Sequence, residues 1–480
     1  MAAPTSLPDD IIQLILDEVA NSRDLPTLRA CAVVSWAVNI HARKHLYSDI
    51  QFSLDSSANK RAKRLVHLLR NPRNQDLHTR IRSLTIIIGD APSEGTRAVI
   101  QKSKTSLRKA VANFMSPAVD YVSILFQLFA SIPLTAFTLK PRFNTEDLES
   151  SQTVIVHWST LCGKMPAGLL SGLIHGIACN PCLQSLTFRW IWGMPVTLLI
   201  GSDISRPLRK LNIHRSSFTS PWETISDDDL RKFSTRVSDL RVLTLIAQGP
   251  ILQLILPLTY PNLTTMIVNI PSQPDELSRL LQLLTSTSGT LASLTVQNLA
   301  SFGSNFTSLS ADYLSDFSSL EHLKYTTKAV EATQMLTRID DISKLLLSAR
   351  KPIGLKTITI HFQIYCSRLQ TWIWNMLVHS RLPETSDAEL NNRWENLDSA
   401  LSNQNFGHLA KIRIHFTLFM YHSTNFPQYA QPSFELVLPE IYSHPSISVE
   451  VTTERICGSS AHEMWALGSD EGQEDDENLL

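Results

Sequence analysis

The chain has 480 residues, of which 43% are hydrophobic and only 18% charged, and its formal net charge is −1. That is apolar material for a sizeable core, arranged as one large domain or two to three ordinary ones. The near-neutral balance excludes a molecule-wide electrostatic pull toward nucleic acid or membrane. Sixteen glycines argue against a glycine-rich nucleotide cradle, and six scattered cysteines argue against a disulfide framework.

Taken in order, the first stretch with a readable job is Leu7 to Tyr47, LPDDIIQLILDEVANSRDLPTLRACAVVSWAVNIHARKHLY. Pro8 suits a first helical turn, and Asp9 and Asp10 favour the positive end of its dipole. Ile11, Ile12, Ile15, Leu16 and Val19 recur at helical spacing and form one apolar stripe. Asn21, Ser22 and Asp24 interrupt the pattern and can cap the next helix. A further helical run takes in Leu28, Cys31, Ala32, Val34 and Ser35 and continues toward Ile40. Forty residues cannot bury that much apolar surface alone, so the unit needs a partner, its own C-terminal body or another protein.

This stretch resembles an F-box of the form common in fungal proteins. The matching residues are Leu7-Pro8, Asp9-Asp10, Ile11, Ile15 and Val19, then Asp24-Leu25, the run Leu28 to Ser35, and Arg43 with Leu46-Tyr47. The family usually carries Trp three residues after its Val-Ser pair. Here Val38 takes that place and Trp36 comes two residues early. The resemblance covers about a tenth of the chain. It implies a three-helix unit that docks a Skp-type adaptor and, through it, a cullin. Leu7, Pro8, Ile11, Ile12, Ile15, Leu28, Val34 and Trp36 are the expected adaptor contacts, since a few buried apolar anchors supply most of the energy of such an interface.

Beyond Tyr47, Asp49 to Leu54 alternates like a short strand, and Lys60 to Leu69 reads as a basic amphipathic helix. From Ile81 onward one phrase recurs, apolar-x-x-apolar-x-apolar after a polar or proline turn. It begins at Ile81, Leu134, Leu183, Leu208, Leu240, Leu263, Leu291, Leu320, Leu355 and Leu409. Its last two apolar residues are two apart and face one side of a short strand, while the first fills the turn before it. One such strand cannot bury its own face, but parallel stacking of ten builds a continuous core. Helical candidates lie between phrases, at 124–129, 167–178, 228–237, 276–285, 341–349 and 388–401. The central spacings sit in or near the range of leucine-rich repeats. The predicted fold is therefore α/β, an N-terminal three-helix F-box followed by an irregular leucine-rich-repeat solenoid, or horseshoe. The predicted division is 1–50 F-box, 51–125 basic connecting segment with the first strand and helix, 126–456 irregular repeats, and 457–480 a disordered acidic tail. Ile447, Val449 and Val451 read as a closing strand.

Candidate chemistry is sparse. Cys179-Asn-Pro-Cys182 is a CxxC with His175 and Cys162 near it in sequence, but a zinc site wants a second pair, and Asn-Pro before a strand reads as a turn. No phosphate loop, zinc-protease helix or kinase signature occurs. His361 and His415 read as surface residues beside strands. Trp190 and Trp192 trail a strand, where one ring can reach a partner. Residues 60–109 carry thirteen Lys or Arg against three acids, read mainly as a solvated face. No catalytic, cofactor-binding or metal-ligating residue is assigned.

The resemblance implies a non-catalytic, substrate-recognition subunit of a Skp–cullin–F-box ubiquitin ligase. Its repeats would hold an unidentified protein substrate for ubiquitin-dependent degradation, and its chemistry would be proximity alone. The alternative is a leucine-rich-repeat interaction scaffold with no ligase role. A redox or hydrolytic enzyme would need Cys179 and Cys182, and a nucleic-acid binder would need the 60–109 patch. With no basic leader before an apolar core, and no uninterrupted apolar run of bilayer length, an intracellular place, cytoplasmic and/or nuclear, is expected. No cofactor, membrane or nucleic-acid partner is expected.

Overall fold

The structure is a computed structural model, describing residues 8–22, 24–55, 57–88, 120–141, 156–159, 169–201, 206–219, 226–246, 255, 258, 260–271, 274–298, 313–329, 332–365, 388–421 and 438–458. Three helices open it, α1 (Asp9–Asn21), α2 (Leu25–Cys31) and α3 (Trp36–Leu46). Then come β1 (Asp49–Leu54), α4 (Ala58–Arg70), α5 (Leu77–Arg80), β2 (Ser83–Ile88), α6 (Tyr121–Ser131), β3 (Ala136–Pro141), β4 (Val156–His157), α7 (Leu169–Ala178) and β5 (Ser185–Arg189). The middle holds β6 (Ile191–Trp192), β7 (Met194–Pro195), α8 (Thr197–Ile200), β8 (Lys210–His214), β9 (Phe218–Thr219), α9 (Asp227–Val237), β10 (Val242–Ile246) and β11 (Thr265–Asn269). The last part holds α10 (Pro274–Thr287), β12 (Ser293–Asn298), β13 (His322–Ala329), α11 (Ala332–Leu347), β14 (Thr357–Tyr365), α12 (Ala388–Leu401), β15 (Lys411–Tyr421), α13 (Pro439–Tyr442) and β16 (Ser448–Gly458).

Twelve of the strands form one sheet, ordered β1-β2-β3-β5-β8-β10-β11-β12-β13-β14-β15-β16. Every pairing in it is parallel. The recurring phrase sets the register. Leu84 lies beside Phe137, Phe137 beside Leu186, Leu186 beside Leu211, and Leu211 beside Leu243. The same row runs on through Met266, Leu294, Leu323, Ile358 and Ile412. A one-residue slip would turn all of these toward the wrong face, which is why the apolar period pins the pairing. The first residue of each phrase, Ile81 through Leu409, is buried below the strand it leads into. Helices supply the other wall of this core: Val66 and Leu69 from α4, Phe126 and Phe129 from α6, Ile174 and Ile177 from α7, Leu280 and Leu283 from α10, Ile339 and Ile342 from α11, and Trp394 and Leu397 from α12.

The predicted fold class is corrected here. In place of a three-helix F-box followed by a leucine-rich-repeat solenoid, the structure shows an α/β protein built on one unbroken twelve-stranded parallel sheet with helices. No unit of constant length recurs along it. Sheet strands range from 5 to 11 residues and helices from 4 to 16. The backbone ladder, continuous from β1 to β16, holds the body together as one sheet. The segment read as connecting, with the first strand and helix, contributes β1 and β2 to the sheet, and residue 125 lies inside α6. The acidic tail, Cys162 and residues 89–119 lie outside the described residues.

The N-terminal helices keep a small core of their own. Leu16, Leu28 and Ala42 are buried there, with Ile12, Val19, Cys31, Val38 and Leu46 packed around them. The predicted continuous run from Leu28 to Ile40 is broken at Ser35, whose hydroxyl accepts from the Val38 N–H at 3.3 Å and starts α3 afresh. Arg43 donates to Asn74 Oδ1 at 2.8 Å, and Arg80 to the Ile40 carbonyl at 2.6 Å, tying the unit to the sheet body.

Candidate docking surface

The sequence of α1 holds more apolar residues than one helical stripe accommodates. Ile12, Leu16 and Val19 turn inward. Ile11, Leu14 and Ile15, spaced three and four apart on another face, stay exposed. Leu25 at the start of α2 is exposed as well. Val33 and Val34 in the turn after α2 are 85% and 74% exposed, and Trp36 at the start of α3 is 80% exposed. Nine large hydrophobic side chains stand exposed among the described residues, and these seven belong to one unit of about forty residues; Trp192 and Leu347 are the others. Single exposed apolar residues are ordinary, whereas a concentration of this kind marks a surface that another surface covers. Covering each side chain releases roughly 1.5–3 kcal/mol.

The predicted contacts divide on this basis. Ile11, Ile15, Val34 and Trp36 are outward, and Pro8 is exposed at the start of α1. Ile12 is half-buried against the small core. Leu28 is 1% exposed and builds that core. Leu7 lies outside the described residues. Leu14, Leu25 and Val33 join the surface although the single-stripe reading passed over them. The surplus of apolar residues around α1 was the available signal for Leu14. Trp36 projects and Val38 packs inward because Ser35 caps the helix between them and Val34.

The other candidates have structural settings. Cys179 Sγ lies 3.4 Å from His175 Nε2; burial pushes the thiol up and the imidazole down, so both favour their neutral forms. Asn180 closes the turn, donating to the Ala130 and Ile132 carbonyls at 3.1 and 2.6 Å and accepting from the Cys182 N–H at 3.0 Å. No group of three His, Cys, Asp or Glu side chains placed to hold a metal occurs among the described residues. His361 is corrected from a surface residue to a buried one. Register puts its ring 4.7 Å from that of half-buried His415, and both reach Thr417 Oγ1, at 2.8 and 3.2 Å. Trp190 is buried under the Arg215 guanidinium at 4.4 Å, while Trp192 donates to the Arg215 carbonyl at 3.2 Å.

Comparison with models of known protein families finds no match, and no curated protein compared with the chain is similar to it. No helix of the described residues is long and apolar enough to cross a membrane.

Proposed function

We propose that the N-terminal unit docks a Skp-type adaptor and that the sheet body presents a protein substrate to the ubiquitin ligase assembled on it. One observation carries this reading: the exposed apolar side chains are gathered on the unit whose sequence resembles an F-box. A docking face of this kind gains most of its affinity from a few apolar anchors, and Trp36 with Ile11 and Ile15 has the size and exposure for that role. The chain then contributes proximity, holding a substrate near a loaded ubiquitin carrier, and no bond chemistry of its own. The second reading is an interaction scaffold without a ligase role. Val38 standing where the family has Trp favours it.

The test is a pull-down of the purified chain with the adaptor, beside an Ile11→Asp/Ile15→Asp variant. Capture by the native chain and at least tenfold weaker capture by the variant is expected, since two desolvated anchors contribute about 1.4 kcal/mol or more together. A well-folded native chain that leaves the adaptor in solution would sink the ligase reading and leave the scaffold.

A further inference from the structure

The near-neutral charge of the whole chain conceals two opposite blocks. Residues 60–82 contain eight Lys or Arg and one acid, whereas residues 470–477 contain six acids and no Lys or Arg. The fold gathers most of the basic block on one helix. α4 turns Ala58, Ala62, Val66 and Leu69 into the core. On its opposite face Lys60, Lys63, Arg64 and Arg70 recur at helical spacing, all exposed, with exposed His67 among them and exposed Arg73 just past the helix.

The carboxylates near this row are engaged with other groups. Asp55 holds Arg61 at 2.9 Å, Asp76 holds Arg80 at 3.0 Å, and Asp120 accepts from the Val122 N–H at 3.1 Å. Lys63 lies 5.6 Å from the centre of the Tyr121 ring, a contact that leaves its charge unneutralised. Lys60, Lys63, Arg64, Arg70 and Arg73 make no ion pair among the described residues. Like charges three and four apart on a helix repel, so the row works against α4 as long as no anion lies on it.

We infer that this face of α4 is the seat of the acidic segment Asp470 to Glu477 of a second copy of the chain. Charge carries the choice of segment: five cations on the seat meet six carboxylates, in a molecule whose charges otherwise balance. Reach carries the choice of a second copy. β1, which leads into α4, and β16 are the two ends of the twelve-stranded sheet, eleven strand spacings or roughly 50 Å apart along it. From Gly458, the last residue of β16, to Glu474 is about 16 residues, which cover at most about 55 Å. To reach α4 of its own molecule the segment would have to lie almost straight, at a high cost in chain entropy. α4 of a neighbouring copy can stand beside it. A membrane surface fits the helix poorly, because its apolar side is already in the core and has nothing to insert. The contact is separate from the exposed apolar face of α1 to α3 and does not depend on the adaptor reading.

The test is sedimentation velocity of the full chain over a range of concentrations, at about 50 mM and about 500 mM salt. Association at low salt and monomer at high salt are expected. Lys60→Glu/Lys63→Glu/Arg64→Glu should associate at least about tenfold more weakly. So should a chain whose six acids from Asp470 to Glu477 are replaced by Asn or Gln, a change that touches no described residue. Mixed together, the two variants should pair one to one, since the acidic segment of the first meets the intact α4 of the second. A mere change in net charge would not give that rescue. The inference is overturned by a native chain that is monomeric at every concentration, by a neutral-tail variant that associates like the native chain, or by a mixture that does not pair. It is also overturned if a twelve-nucleotide thymidine strand binds the native chain more tightly than the copies bind each other, which would give the face to nucleic acid.

Discussion

Gly201 ends α8 with a φ of 77°, in a region of backbone space that side chains disfavour. A Cβ there would also lie 2.8 Å from Arg236 Cδ. Arg236 is buried with no carboxylate beside it among the described residues; burial holds it at about 10, and its guanidinium donates to the Ala178, Leu198 and Leu199 carbonyls at the C-terminal ends of α7 and α8. Helix ends carry partial negative charge and unmet acceptors, so one cation serves two of them. Gly201→Ala should therefore cost about 2–3 kcal/mol in urea unfolding, from strain plus crowding against Arg236. His361 makes a second residue-scale case. Burial, with His415 and Lys324 close by, pushes it down to about 3. Its unfolded value is about 6.5, so between the two it is the unfolded chain that binds the proton. This contribution is present above about pH 6.5 and is lost as pH falls toward 3, by up to about 1.4 kcal/mol per pH unit. Urea midpoints at pH 7, 6 and 5 should fall less steeply for His361→Gln than for the native chain. Parallel curves would show that the imidazole is not held neutral.

At the scale of elements, caps decide where periodicity alone is ambiguous. The spacing of apolar residues runs from Leu28 toward Ile40 without a visible stop, yet Ser35 divides it, because a serine hydroxyl satisfies the first free N–H of a new helix. Removing that hydroxyl in Ser35→Ala should cost about 1 kcal/mol of the N-terminal unit's stability, read by hydrogen exchange in α3. The long helices show the complementary limit. The predicted helix at 388–401 coincides with α12, whereas 341–349 captured only the C-terminal part of α11, which begins at Ala332. Polar residues such as Arg338 interrupt the apolar stripe ahead of Asp341. Tertiary packing buries both, 3.4 Å apart, and burial pushes the Asp341 carboxyl up to about 6.

For the whole molecule, two separate apolar cores set the pattern of unfolding. One runs unbroken from Phe52 to Ile441; the other contains only Leu16, Leu28 and Ala42 at its centre. Leu28→Ala should cost the small unit roughly 2–5 kcal/mol. That is enough to melt it while the sheet body stands. Circular dichroism should keep the sheet signal, and limited proteolysis should cut between residues 8 and 47. A mutant that loses sheet and helices together would show that the unit and the body form one cooperative block.

The strands were legible from the sequence because their signal is local. Each phrase carries its own period of two, and each of the ten phrases lies on a strand of the sheet, as do Asp49–Leu54 and the closing residues Val449 and Val451. The features that the sequence could not settle depend on residues far apart in the chain. The continuity of the sheet, which replaces the predicted solenoid, arises from ladders between strands whose connections differ in length. The burial of His361 comes from a neighbour 54 positions away, placed beside it by register. The choice of which apolar face of α1 packs and which is exposed depends on α2 and α3 closing over Leu16. Local periodicity states that a side chain wants cover, and only the tertiary structure decides whether the protein itself provides it.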